Sequence, residues 1–352
     1  MLKNGNLTVW ISAIPLTFII KFAKENPSFT EEYYSELFYP WVFQIHQFLF
    51  NKFPFSLGDI LYITFAILII NRVLKKSHYW YLKPWSFFND LGAVLILFLW
   101  IFHLSWGLNY HRLALSDQLG ISTDYNLEEL TAGINELIVN VNQLQTELVK
   151  VDSLPVIPNN SKSFFLKSPP IYHPTNPSLN FELSDVKRSL FSVPLSYMGY
   201  AGYLNPFTLE SQINSKIPTL SLVTTILHET AHQMGYASEK EANFIAYQSA
   251  IKNDDPYIRY AGYSFALRYF FSELNAIDRN KANDLVEKIN SGVLKNFKET
   301  SDFWKKYENP FEIIFKKTYD TYLKANDERS GLKSYNEMVG LVINYHKNIE
   351  EF

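Results

Sequence analysis

Hydrophobic positions along the chain follow two regimes, continuous runs up to about residue 110 and a three-to-four spacing beyond it. The runs are "LTVWISAIPLTFII" (7–20, interrupted by Pro15), "ILYITFAILII" (60–70, extending back to Leu57) and "LGAVLILFLWIFHLSWGLNY" (91–110). The third carries no formal charge. A hydrocarbon core of ~30 Å takes about 20 helical residues. The runs therefore predict transmembrane helices over 7–23, 57–72 and 91–110. The first has no A-x-A-like cleavage site after it and is closed by Lys21 and Lys24, so it reads as a retained anchor and not a signal peptide. Aromatic residues Tyr62, Phe65, Trp80 and Trp85 around the second run suit a membrane interface.

Between the second and third runs, "NRVLKKSHYWYLKPW" holds Arg72, Lys75, Lys76 and Lys83. Basic loops stay on the cytoplasmic side. Three spans then place everything after about residue 112 outside. The expectation is a membrane region over 1–112, a lipid bilayer as partner, and an exported domain over 113–352. In a bacterium this is a multi-pass protein of the cytoplasmic membrane.

Beyond the runs, apolar residues at 127, 130, 134, 137, 141, 144 and 148 form one helical stripe, and Asn126 with Glu129 fits a capping box. Such a stripe predicts packing within its own domain. Prolines at 155, 158, 169, 170, 174 and 177 predict an extended loop. "SVPLSYMGYAGYLNPFTLESQIN" (192–214) reads as two short strands around a turn, an edge to which an extended peptide can pair. The picture is an α+β, mostly helical chain with a small β-sheet.

Composition narrows the chemistry. There are no cysteines, which removes disulfides, thiolate metal ligands and a cysteine nucleophile. A net charge of −3 gives no general attraction to nucleic acid. Only 8 histidines occur in 352 residues, yet two lie four apart in "TTILHETAHQMGYASEKEANF" (224–244). Four residues is about one helical turn, so His228 and His232 project from one face. Two neutral imidazoles and one carboxylate make a catalytic zinc site with an open position. Glu229, beside the first histidine, is placed to take a proton from water, as H-E-x-x-H requires. Pro218 and Thr219 mark the helix start, and Gly235 suits its end.

Two carboxylates compete for third ligand. Ser238 and Glu241 have capping-box spacing, which gives Glu241 a structural task and leaves Glu239 facing the metal. Glu241 stands as the alternative ligand. Asn243, one turn after Glu239, is positioned to bond a ligand imidazole. Tyr236, Tyr247, Tyr335 and His346 are candidate donors to a developing oxyanion, and the sequence does not choose among them.

"HETAHQMGYASEKEANFIAY" resembles the gluzincin peptidases, in which HExxH is followed by a helix bearing E-x-x-x-D/N. That resemblance puts Glu239 at the third-ligand position and Asn243 at the supporting one, although the second helix arrives sooner than in most members. Gly235 is similar to the glycine of the metzincin turn, but Ser238 stands where that branch has its third ligand. Over nearly the whole chain, "PFSLGDILY", "WGLNYHR", "GYLNPFTLESQIN" and "GLKSYNEMVGLVINY" resemble an uncharacterised bacterial membrane-protein family, a domain of unknown function grouped with zincin-like peptidases. The resemblance implies a zincin fold on membrane helices and no particular substrate. The motif itself leads to the expectation of Zn2+ as cofactor and of an exported metallopeptidase that cleaves a peptide or protein. A non-catalytic binding or assembly module of the cell envelope, or a hydrolase of a non-peptide amide, is the alternative.

Overall fold

The computed structural model describes residues 4–167, 171–175, 183–326, 328 and 330–348. It divides into two compact units, residues 1–113 with 205–210, and residues 114–204 with 211–352.

In the first unit the three apolar runs become α1 (Asn4–Glu25), α4 (Leu57–Leu82) and α5 (Pro84–Ser105), with α2 (Pro27–Phe29) and α3 (Tyr39–Phe50) between the first two. Three helices, Asn6–Glu25, Leu57–Leu82 and Pro84–Ser105, are long and apolar enough to cross a membrane. α1 extends two or three residues beyond 7–23 at each end, and the other two depart further from the expected bounds. α4 runs ten residues past 72 because nothing breaks it before Pro84, so Arg72, Lys75 and Lys76 lie on a helix and not in a loop. α5 starts at Pro84, where a proline at the first helical position costs no hydrogen bond. It ends at Ser105, and residues Gly107–His111 form a 3₁₀ turn.

Two polar contacts fix the N-terminal end of α4. Ser56 caps α4 by accepting the Asp59 amide (2.9 Å). Glu210, on the 205–210 segment, accepts the Gly58 amide (2.6 Å), a carboxylate at the positive end of the helix dipole. Between α2 and α3 the chain forms a π-helix, Thr30–Phe38, where Glu31 accepts the Arg112 guanidinium (Nε 2.8 Å).

The second unit holds α6 (Leu115–Leu119), α7 (Leu127–Val149), α8 (Lys162–Phe165), α9 (Ser192–Met198), α10 (Thr219–Gln233), α11 (Glu239–Ile251), α12 (Pro256–Ile277), α13 (Arg279–Val286), α14 (Ser291–Tyr307), α15 (Glu312–Ala325) and α16 (Met338–Asn348). α7 has both capping-box bonds, and its stripe of Leu130, Ile134, Leu137, Val141 and Leu144 is buried within its own unit. A three-stranded sheet has the order β1 (Lys187–Arg188), β3 (Ser211–Ile213), β2 (Gly202–Leu204), with β1 parallel and β2 antiparallel to β3.

The 192–214 stretch is therefore two strands only over 202–213. Residues 192–198 are helical, closed by Gly199 at φ +79°, the left-handed cap that glycine adopts without steric cost. The proline-rich stretch includes the helical turn α8, and Pro169, Pro170 and Pro177 lie outside the described residues.

Candidate metal centre

α10 is buried on nearly every side, a core helix by its apolar lead-in Leu220, Leu222, Val223, Ile226 and Leu227. Gly235, at φ +84°, follows its end and turns the chain toward α11. His228, Glu229 and His232 thus sit in an interior where an unpartnered polar group costs free energy. What surrounds them determines what they can do.

Each imidazole has its Nδ1 committed. His228 Nδ1 lies 2.8 Å from Asn243 Oδ1, and His232 Nδ1 lies 2.6 Å from the Tyr236 carbonyl. The Asn243 amide donates its Nδ2 to the Tyr335 carbonyl (3.1 Å), so its oxygen is the atom that faces His228. Both Nδ1 atoms therefore carry the proton in the neutral rings, and both Nε2 lone pairs are left exposed to the third group. That group is Glu239, whose Oε2 stands 3.1 Å from His228 Nε2 and 3.6 Å from His232 Nε2.

Three electron-pair donors thus converge in the interior, an arrangement that is repulsive without a cation among them. Their electrostatics reflect it. Burial opposes charge on His232, but the hydrogen bond and charge of Glu239 outweigh it and raise its pKa to about 9. Burial alone would raise Glu239, yet the two imidazoles hold it well below the usual carboxylate range. The pull that a proton feels here is one that a metal ion would feel too.

The geometry suits such an ion. Ligand atoms of His228, His232 and Glu239 all lie within 4.8 Å of one another. Two tetrahedral ligands at zinc distances of ~2.0–2.1 Å stand roughly 3.3–3.4 Å apart, and the two Nε2–Oε2 separations bracket that spacing. The imidazoles' hydrogen bonds to an amide oxygen and a backbone carbonyl are the supporting contacts that fix ligand tautomer in metal sites.

Glu229 is buried, and its Oε2 meets no hydrogen-bond donor among the described residues. Burial pushes its carboxyl up to about 7, with His228 and His232 pulling it down and Glu239 pushing it up. Its Oε1 faces the edge strand β2: a Cβ at Gly202 would come within 2.7 Å of it and 2.9 Å of the Gln212 carbonyl. Only a glycine lets the strand pass this close. Ser211 on β3 donates to the Glu229 carbonyl (2.8 Å), tying α10 to the same sheet.

Of the remaining residues singled out by sequence, the structure brings some to the cluster and not others. Asn243 and Tyr335 are there, the Tyr335 ring stacked at 11° on His228 with centroids 6.0 Å apart. Tyr236 contributes its carbonyl and is wholly buried. Tyr247 and His346 pack edge-to-face on each other (5.9 Å) in the core instead. Glu241 is engaged outside the cluster. Ser238 makes no side-chain cap bond, and Glu241 accepts the Leu115 amide (2.7 Å) at the start of α6. Glu241 is thus occupied by a backbone donor 126 positions away.

One contact lay outside the sequence reading. Tyr319 on α15 donates its hydroxyl to Glu239 Oε1 (2.6 Å), and stands 3.5 Å from the Tyr335 hydroxyl. Burial and the Glu239 charge push both phenols well above their usual range, so they stay neutral donors. Tyr319 holds the carboxylate oxygen that does not face the histidines.

No curated protein and no solved structure matches the chain. A family of proteins of unknown function does, over residues 34–343. With most of its length matched, the chain belongs to that family, DUF3810.

Proposed function

We propose that this protein is a membrane-anchored, zinc-dependent peptidase. The observation that carries the reading is the convergence of His228 Nε2, His232 Nε2 and Glu239 Oε2, with both Nδ1 atoms already bonded. The buried Glu229 carboxylate, whose Oε2 has no hydrogen-bond partner among the described residues, stands on the same helix as the two histidines. The sequence likeness to the gluzincins supports the same ligand set.

A zinc ion held by the three residues would supply a Lewis acid and lower the pKa of water there to ~7. Asn243 and the Tyr236 carbonyl hold the imidazoles in the required tautomer, and Tyr319 orients Glu239. Glu229 takes the proton from the attacking water and delivers it to the departing amine, a role for which a carboxyl raised toward neutrality is suited. Tyr335, a neutral phenol whose ring lies on His228, would be the donor to the developing oxyanion. The edge strand β2, whose Gly202 lies against Glu229, is the element along which an extended peptide would pair. In the membrane, the basic end of α4 faces the cytoplasm and the second unit faces away from it.

Glu229→Gln tests the mechanism. The variant is expected to bind zinc as tightly as wild type and to lose roughly 10²–10⁴-fold in peptide hydrolysis, the range for a general acid–base group. Hydrolysis at the wild-type rate would end the proposal. If wild type itself cleaves no member of an unbiased peptide library, a binding module or a hydrolase of another amide replaces it.

A further inference from the structure

Away from the metal cluster, the second unit presents an apolar surface where α9 meets the start of α15. Phe311, Ile313 and Ile314 are 67%, 72% and 60% exposed, and Leu190, Val193 and Tyr197 are also exposed. Contacts tie the end of α9 to the segment that opens α15. Asn309 donates to the Tyr197 carbonyl (2.7 Å), the Tyr197 and Tyr307 rings meet edge-to-face at 5.1 Å, and Tyr200 donates to the Phe315 carbonyl (3.2 Å).

The charge around the patch is ordered. In "KKYENPFEIIFKK" (305–317), Lys305 and Lys306 precede the apolar residues, and Lys316 and Lys317 follow them. Four lysines face two glutamates, Glu308 and Glu312. Lys316 pairs with Glu312 (2.6 Å) and Lys306 lies over the Tyr307 ring (5.8 Å). Lys305 and Lys317 have no acidic partner among the described residues.

Bulky aliphatic and phenyl side chains in the open, framed by lysines and tyrosines, are what a bilayer interface accepts: apolar groups enter the acyl boundary while ammonium groups meet anionic headgroups. The four lysines against two glutamates leave this segment net positive, which is the charge complement of an anionic bilayer surface. Among the described residues, three helices are also long and apolar enough to cross a bilayer.

We infer that the α9–α15 patch is a second membrane contact, lying in the headgroup region of a bilayer with anionic lipid. This holds whether or not the chain hydrolyses anything. The absence of cysteine makes the test direct. Ile313→Cys and Ile314→Cys, each carrying a nitroxide, are placed in the full chain in vesicles of phosphatidylcholine and phosphatidylglycerol. Lys298→Cys, on an exposed side chain of α14, is the aqueous reference. The expected result is a ratio of oxygen to nickel-chelate collisions several-fold above the reference at both positions. The ratio should fall when Lys305 and Lys317 are changed to Glu, and fall less in phosphatidylcholine alone. A ratio equal to that at Lys298 overturns the inference. So does suppression of both collisions, which would mark a protein or a second copy over the patch, and an unchanged ratio in the lysine variant removes the anionic lipid from it.

Discussion

The two units of this chain invert each other's burial. On α4, Ile67, Leu68, Ile69 and Ile70 are each more than half exposed, whereas on α10 and α11 His232, Glu239 and Asn243 are almost wholly enclosed. Either arrangement would be costly for a water-soluble domain standing alone. Outward aliphatic side chains are relieved by lipid. Inward imidazoles and carboxylates are relieved by a cation and by fixed hydrogen-bond partners. The contrast separates two kinds of exposure: outward apolar groups in the first unit are compatible with a bilayer, and inward ligand-type groups in the second are what the proposed metal would engage.

The largest effect should come from breaking the first half of that contrast. Leu97→Arg places a charge on the exposed apolar face of α5 and is expected to cost ~3 kcal/mol of membrane insertion. It is read as the fraction of chain recovered in membranes, with Leu97→Ala as control, and recovery equal to wild type would contradict a lipid-facing α5. Next is Asn243→Ala, which frees His228 Nδ1 and should weaken zinc binding ~10–100-fold by chelator competition. An unchanged affinity would mean that Asn243 does not set the ring's tautomer.

Tyr319→Phe leaves Glu239 Oε1 without its donor and should weaken zinc binding by about 10-fold, the lower end of the range for such supporting contacts. A loss greater than that of Asn243→Ala would place the main support of the cluster on α15. The smallest effect on the metal is expected from Glu241→Gln. It sits two residues from Glu239 but serves the Leu115 amide, so zinc affinity should hold while stability falls by roughly 1 kcal/mol on denaturant unfolding. A loss of zinc there would make Glu241 the ligand and Glu239 the bystander.

The cluster's near neighbours in sequence were legible because helical geometry carries them. His228 and His232 are four apart on one helix, and Glu239 and Asn243 repeat that spacing on the next. Glu241 has a partner that the sequence did not signal, the Leu115 amide on α6, 126 positions away. Tyr319 and Gly202 left no signal. A tyrosine in an amphipathic helix looks like any packing residue, and its contact with Glu239 spans 80 positions. Gly202 is required by the approach of Glu229, which only the folded hairpin reveals. In the membrane region, hydropathy located the runs but not their ends, because helix propensity carries α4 past its apolar stretch until a proline intervenes.

Zinc content tests the central claim most directly. Purified full-length chain in detergent would be equilibrated with zinc and dialysed, then compared with His232→Ala treated the same way. The account predicts about one zinc retained per wild-type chain and almost none by the variant. Equal retention in the two proteins, or none in either, would contradict it.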